Sequence, residues 1–296
     1  MDLELNKKTC RLLFKTEKYA GVDSAEYLID GKKATVLDFG VKAEIGKGTA
    51  EELGIIAAEA SMGTLGKVKI EKGALQVNIP KNPAIATLAC QLAGWGTEIE
   101  GKKKLGSGPA RILARKPGKI IDAAGYFETS QEAALVLETD TLPDREACKT
   151  ILEATKASDL VIAAFREDTL TGLINVLARI VEVGVFRLHN MGYDVKNISS
   201  ATGYVPMIPL GPEAMFEAND AIIYRGKVAL EVKGWPSHLA EEAVSRSSPS
   251  YGKAFREIYE EAGGDFYRID ARIFAPAALI AIDIKDGTRY CAGSIK

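Results

Sequence analysis

Short runs of β-branched residues alternate along this chain with longer stretches whose apolar residues recur at helical spacing, and many of the 28 glycines mark the joints. That rhythm constrains the fold more than any other feature. A chain that switches period in this way builds an α/β protein, whose helices cover a sheet. Strands are expected at 34–39, 67–71, 75–79, 133–138, 160–165, 221–224, 228–232 and 279–284. Helices are expected at 5–19, 48–60, 83–94, 144–155, 170–189, 238–245 and 251–262. The runs Asp220 to Leu230 and Tyr27 to Leu37 share a strand, charged Gly-Lys turn, strand rhythm, a weak sign of duplication that ordinary hairpins also give. No low-complexity linker interrupts the pattern. If the chain has two lobes, the cut is expected between Gly118 and Gly125, giving an N-terminal lobe 1–120 and a C-terminal lobe 121–296.

Composition narrows the function. With 38 Lys plus Arg against 40 Asp plus Glu, the formal charge is -2, and no global field attracts a nucleic-acid backbone. The most apolar stretch, Ile273 to Ile284, includes Pro276 and is far short of the roughly 20 residues that cross a bilayer. The N-terminal Met-Asp-Leu-Glu-Leu-Asn-Lys-Lys is acidic at its start and lacks the form of a secretion signal. Four scattered cysteines, Cys10, Cys90, Cys148 and Cys291, show neither metal-binding spacing nor a bridge framework, which suits a reducing cytoplasm. With only His189 and His238 in the chain, a histidine-rich metal site or a Ser-His-Asp triad has little to draw on.

One segment departs from ordinary surface chemistry. From Leu170 to His189, residues placed about 100° apart put Leu173, Ile174, Leu177, Val181, Val185 and Leu188 on a core stripe, and Val176, Ile180 and Val183 widen it. Asp168 and Thr169 are candidate caps. The remaining polar character falls in an arc of about 60° holding Asn175, Arg179, Glu182 and Phe186. Arg179 and Glu182, at i and i+3, are neighbours. On a wet face they form a helix pair worth about 0.2–0.5 kcal/mol. On a cleft wall the carboxylate, partly dry, takes a proton more readily while the guanidinium steadies its charge. A wet face normally collects several Lys and Glu, so one Arg, one Glu, an amide and an aromatic among valines favour the cleft.

The strings Asn82-Pro-Ala-Ile-Ala, Gln91-Leu-Ala-Gly-Trp95, Gly106-Ser-Gly-Pro-Ala-Arg111, Leu137-Glu-Thr-Asp-Thr-Leu-Pro143, Arg179-Ile-Val-Glu182, Asn219-Asp-Ala-Ile-Ile-Tyr224, Tyr251-Gly-Lys-Ala-Phe255, Asp265-Phe-Tyr-Arg-Ile-Asp270 and Phe274-Ala-Pro276 together resemble methenyltetrahydromethanopterin cyclohydrolases. Each is weak alone; their collinear order over nearly the whole chain is specific. The resemblance implies a two-lobed α/β subunit around a deep inter-lobe pocket, a homotrimer, and no metal or redox cofactor. It implies addition of water to the cationic methenyl form of a reduced pterin carrier, giving the formyl form, and the reverse. The family's catalytic carboxylate and arginine map onto Glu182 and Arg179.

The same resemblance favours Gly106, Ser107, Gly108 and Arg111 as contacts to the anionic part of the carrier, through backbone amides and the guanidinium; a simple glycine turn explains the string almost as well. Asn175, Tyr251 and Lys253 join the expected substrate-binding set, although Tyr251 also reads as a packing aromatic and Lys253 as a solvated cation. The chain departs from the family pattern at Ala164 to Thr169, where Ala-Pro-Thr is usual, at Asn175, where glutamine is usual, at Thr202 to Pro206, and at Ser250, where aspartate is usual. These departures leave open a carrier-binding paralogue without turnover. A cyclohydrolase on a tetrahydrofolate-type carrier is the other rival, though none of that enzyme's pattern is present.

Overall fold

The computed structural model describes residues 3–295, and the chain divides into two compact units, Met1–Gly66 with Ile85–Asn175 and Lys67–Ala84 with Val176–Lys296. In chain order the strands are β1 (Asp23–Ile29), β2 (Lys32–Asp38), β3 (Lys67–Glu71), β4 (Ala74–Ile79), β5 (Trp95–Ile99), β6 (Lys102–Ser107), β7 (Glu132–Glu138), β8 (Asp159–Phe165), β9 (Ile198–Pro206), β10 (Lys227–Val232), β11 (Ala278–Asp283) and β12 (Arg289–Gly293). The α-helices are α1 (Leu5–Phe14), α2 (Lys47–Ser61), α3 (Ala110–Ala114), α4 (Gly118–Ala124), α5 (Arg145–Thr155), α6 (Leu170–Leu177), α7 (Ile180–Asn190), α8 (Ala214–Arg225), α9 (Leu239–Glu242) and α10 (Phe255–Glu261). The α/β class expected from the alternating periods is the class observed.

In the first unit the sheet runs β1-β2-β8-β7-β6-β5, with β2, β8 and β7 parallel. The crossover from β7 to β8 is α5, started by Asp144, whose Oδ1 accepts from the Ala147 amide at 2.8 Å. Leu135, Leu137, Leu160 and Ile162 bury against Cys148, Ile151 and Leu152 of α5. On the opposite face Val136, Val161 and Phe165 bury against Leu13 of α1 and Leu53 and Ile56 of α2. Strands covered on both faces read as continuous apolar runs, which is why β7 and β8 were legible.

In the second unit the order is β12-β11-β10-β9-β4-β3, parallel between β10 and β11 and antiparallel elsewhere. The hairpin β3–β4, early in the chain, joins this sheet because β4 pairs with β9 from Ala74↔Pro206 to Ile79↔Ala201. The expected lobe boundary at residues 118–125 therefore falls within the first unit, in and around α4. Sheet pairing divides the chain discontinuously, and no linker composition marks such a division. The expected strand at 221–224 is instead part of α8, whose Ala218, Ala221, Ile222 and Ile223 are buried. With that strand gone, only Tyr27 to Leu37 is a hairpin, and the sign of duplication dissolves.

The expected helix 170–189 is two helices, interrupted at Ala178 and Arg179. The Arg179 amide donates to Val176 O at 3.1 Å, a tighter turn, and helical bonding resumes as the Val183 amide donates to Arg179 O at 2.9 Å. No Pro or Gly lies between residues 173 and 183, so packing causes the break. Register places Val68, Val77, Gly203, Val228, Leu279 and Ala292 in one row across the buried face of the second sheet. At Gly203 that row has a gap. A Cβ there would stand 2.6 Å from Ile180 Cγ2 and 2.8 Å from Val181 Cγ2, and a Cβ on Gly226 would stand 2.5 Å from Ile180 Cδ1. The first turn of α7 thus sits directly on backbone. Gly203→Ala is expected to destabilise the protein by about 1–3 kcal/mol through this overpacking, read from urea unfolding; an unchanged midpoint would show that the contact does not hold α7.

Candidate functional site

The break decides where the two residues singled out by the sequence stand. Arg179 is the N-cap residue of α7, with φ -75° and ψ 0°, and Glu182 is the third residue of its first turn. A carboxylate there meets the positive end of the helix, where negative charge is favoured. Arg179 Nη1 lies 3.8 Å from Glu182 Oε2, and the side chains are 17% and 6% exposed. That spacing is ion-pair contact, longer than a hydrogen bond. The wet-face reading fails on burial, because a solvated helix pair does not hide its acid. Charge this poorly solvated interacts more strongly than it would in water, and removing either partner leaves the other costly to bury.

Asn175, on the last turn of α6 before the break, is only 2% exposed. Its Nδ2 is buried and meets no hydrogen-bond acceptor among the described residues. Phe186, the fourth member of the expected arc, is half-buried.

The Gly106 to Arg111 segment is placed differently from an anion cradle. All six residues are buried. The Gly108 amide donates to Cys90 O at 2.7 Å, and the Ser107 hydroxyl faces Val136 O at 3.5 Å. Gly108 has φ +106°, and a Cβ there would meet Ala134 O at 3.1 Å, so glycine serves close strand approach. Arg111 is wholly buried. Its Nε donates to Lys116 O at 2.9 Å, and its Nη1 donates to Leu88 O at 2.9 Å and Cys90 O at 3.1 Å. Through Nε and Nη1 the guanidinium serves as an internal brace.

What Arg111 braces was not legible in the sequence. The expected α-helix 83–94 is a π-helix over Ile85–Gln91, buried from Ala86 onward. A π-helix is rare, and its wider turn leaves its last carbonyls needing outside donors. Arg111 supplies them to Leu88 and Cys90. Gly94 makes room for it, since a Cβ there would lie 2.7 Å from Arg111 Nη2.

Tyr251 is half-buried and packs on Tyr224 with ring centroids 5.2 Å apart. Lys253 is exposed, and its Nζ donates to Glu261 at 2.5 and 2.8 Å. Ser250 sits in the turn leading to them, its carbonyl accepting from the Lys253 amide at 3.4 Å. Arg166 pairs with Asp168 on the approach to α6. A cavity of about 460 Å³ near the far end of α7 is lined by Met191, Tyr193, Asp194, Asn197, Pro236 and His238 among others, and neither Arg179 nor Glu182 lines it. Burial pushes the Cys10 and Cys90 thiols far up and that of Cys148 to about 12, so all three stay protonated at neutral pH. Among the described residues no group of three or more His, Cys, Asp or Glu forms a potential metal set, and no helix is long and apolar enough to cross a membrane.

A family model described as Cyclohydrolase (MCH) matches residues 5–296. The chain belongs to this cyclohydrolase family. It is 34% identical over 276 residues to the methenyltetrahydromethanopterin cyclohydrolase of Methanocella arvoryzae, covering 88% of this chain and 86% of that one. The protein of the same description from Methanosphaerula palustris is 31% identical over 307 residues, covering 99% of this chain and 96% of the relative. That from Methylobacillus flagellatus is 31% identical over 277 residues, covering 88% and 83%. Membership agrees with the collinear strings.

Arg111→Met removes the donors to two buried carbonyls and one part-buried one. It is expected to cost about 3 kcal/mol or more of stability, measured by urea unfolding; a variant as stable as wild type would remove the brace.

Proposed function

We propose that the chain is a cyclohydrolase that interconverts 5,10-methenyl-tetrahydromethanopterin plus water and 5-formyl-tetrahydromethanopterin, acting in the cytoplasm as a homotrimer. The observation that carries this reading is the buried Glu182 carboxylate in the first turn of α7, 3.8 Å from the Arg179 guanidinium. Family membership supplies the substrate class.

The methenyl carbon lies between two nitrogens that share one positive charge, so it is already electrophilic. Water attacks it, and the Glu182 carboxylate takes a proton as the C–O bond forms. The bond from that carbon to one nitrogen then breaks, its electron pair staying on nitrogen, which ends with the second proton of the water. The carbon remains on the other nitrogen as a formyl group. One proton is released overall, and the balance needs only carrier and water, so the proposal includes no cofactor. In reverse, protonated Glu182 lets water leave. Arg179 and the α7 N-terminus keep the carboxylate oriented. Positioning accounts for the rest. Asn175, Tyr251 and Lys253 are proposed contacts to the carrier, while Gly106, Ser107, Gly108 and Arg111 enter as scaffold.

Glu182→Gln is expected to lower turnover by about 10²–10⁴-fold while circular dichroism and carrier affinity stay near wild type. The assay follows loss of methenyl absorbance, and near-normal activity would remove Glu182 as the base. Arg179→Ala should also lower turnover, with melting of the same sample separating a local effect from unfolding. Sedimentation is expected to give the mass of three 31.8 kDa chains; a monomer mass would contradict the trimer.

A further inference from the structure

The Asn175 amide is a buried polar group whose hydrogen bonding the described residues leave incomplete. The residue is 2% exposed, and its Nδ2 is shut away from solvent without an acceptor among the described residues. Leaving a buried donor unmade costs stability, whereas an apolar side chain of similar shape would cost nothing of the kind. Around it on α6, Leu173, Ile174 and Leu177 are all buried. Ile174 is pressed against α2, where a Cβ on Gly54 would come within 2.8 Å of it. The positions that share its face of the helix lie three and four residues away, among them the buried Thr171. An acceptor on a bound molecule would complete the amide, such as the carbonyl oxygen or ring nitrogen of a flat heterocycle.

We propose that Asn175 is a specificity-determining residue whose Nδ2 donates to a neutral acceptor on the heterocyclic ring of the substrate. The assignment rests on the pterin-carrier reading of the proposed function and adds which chemical group of the carrier is read, and by which atom. Asn175 does not take part in the proton transfer, so its effect falls on affinity and on the choice among ring systems.

The test compares Asn175→Leu, which keeps the volume and removes the donor, with Asn175→Gln, which keeps an amide. Affinity for the methenyl carrier is read by equilibrium titration, KM and kcat by loss of methenyl absorbance, and stability by thermal melting without ligand. Asn175→Leu is expected to weaken affinity and raise KM about 10-fold, to leave kcat within about threefold, and to melt at or above the wild-type temperature. Asn175→Gln should recover part of the affinity. Unchanged affinity in Asn175→Leu overturns the assignment, and so does a lowered melting temperature with KM and kcat failing together, which marks a structural amide. Wild-type protein that binds the carrier without turning it over would overturn the proposed reaction instead, and the titration would still read Asn175 independently.

Discussion

The first turn of α7 rests on bare backbone, and the local geometry of the candidate pair depends on that contact. Ile180 and Val181 fill the space that side chains at Gly203 and Gly226 would take. To seat them, the chain gives up helical bonding at Ala178 and Arg179 and starts a new helix. Arg179 thereby becomes a cap residue and Glu182 a first-turn residue. One steric fact, the absence of two Cβ atoms, therefore sets both the electrostatic setting of the carboxylate and its spacing from the guanidinium.

Three buried polar side chains show how differently the same kind of cost is met. Arg111 is fully enclosed, and its guanidinium is met by carbonyls that a π-helix and a turn leave open, so a charge becomes a structural tie. Glu182 is almost as buried, and a cation and the positive end of a helix stand by it. Asn175 has a buried donor for which the described residues offer no acceptor. A buried carboxylate and a buried amide donor without an acceptor among the described residues are where a site is sought.

Much of the fold was readable because local periodicity survives burial. The strand at 67–71 matches β3, and β7, β8, β10 and β11 lie within a residue or so of expectation. The run at 221–224 misled because Ala-Ile-Ile-Tyr satisfies a short strand and a buried helix face equally. β5, β6, β9 and β12 went unread, since lysines, glycines and serines on half-exposed strands blur alternation. Within the site, the Arg179 and Glu182 pair was legible as an anomaly of composition on one helical arc. The bracing role of Arg111 was not legible because a glycine turn followed by arginine looks the same from sequence whether its donors face a ligand or a neighbouring carbonyl.

What the sequence determined by itself was the α/β class, the family, and an acid and a base one turn apart in an otherwise apolar helical segment. These follow from residue type and near-neighbour spacing, which the chain carries wherever it folds. The tertiary structure alone decided the discontinuous division into units, the interruption before Glu182, the π-turn beneath Arg111 and the isolation of the Asn175 amide. Each depends on pairing between segments far apart in the chain: β4 with β9, Gly203 with Ile180, Arg111 with Leu88 and Cys90. Such pairings are settled by steric fit and by the need to satisfy buried backbone groups, and neither leaves a periodic mark on the sequence.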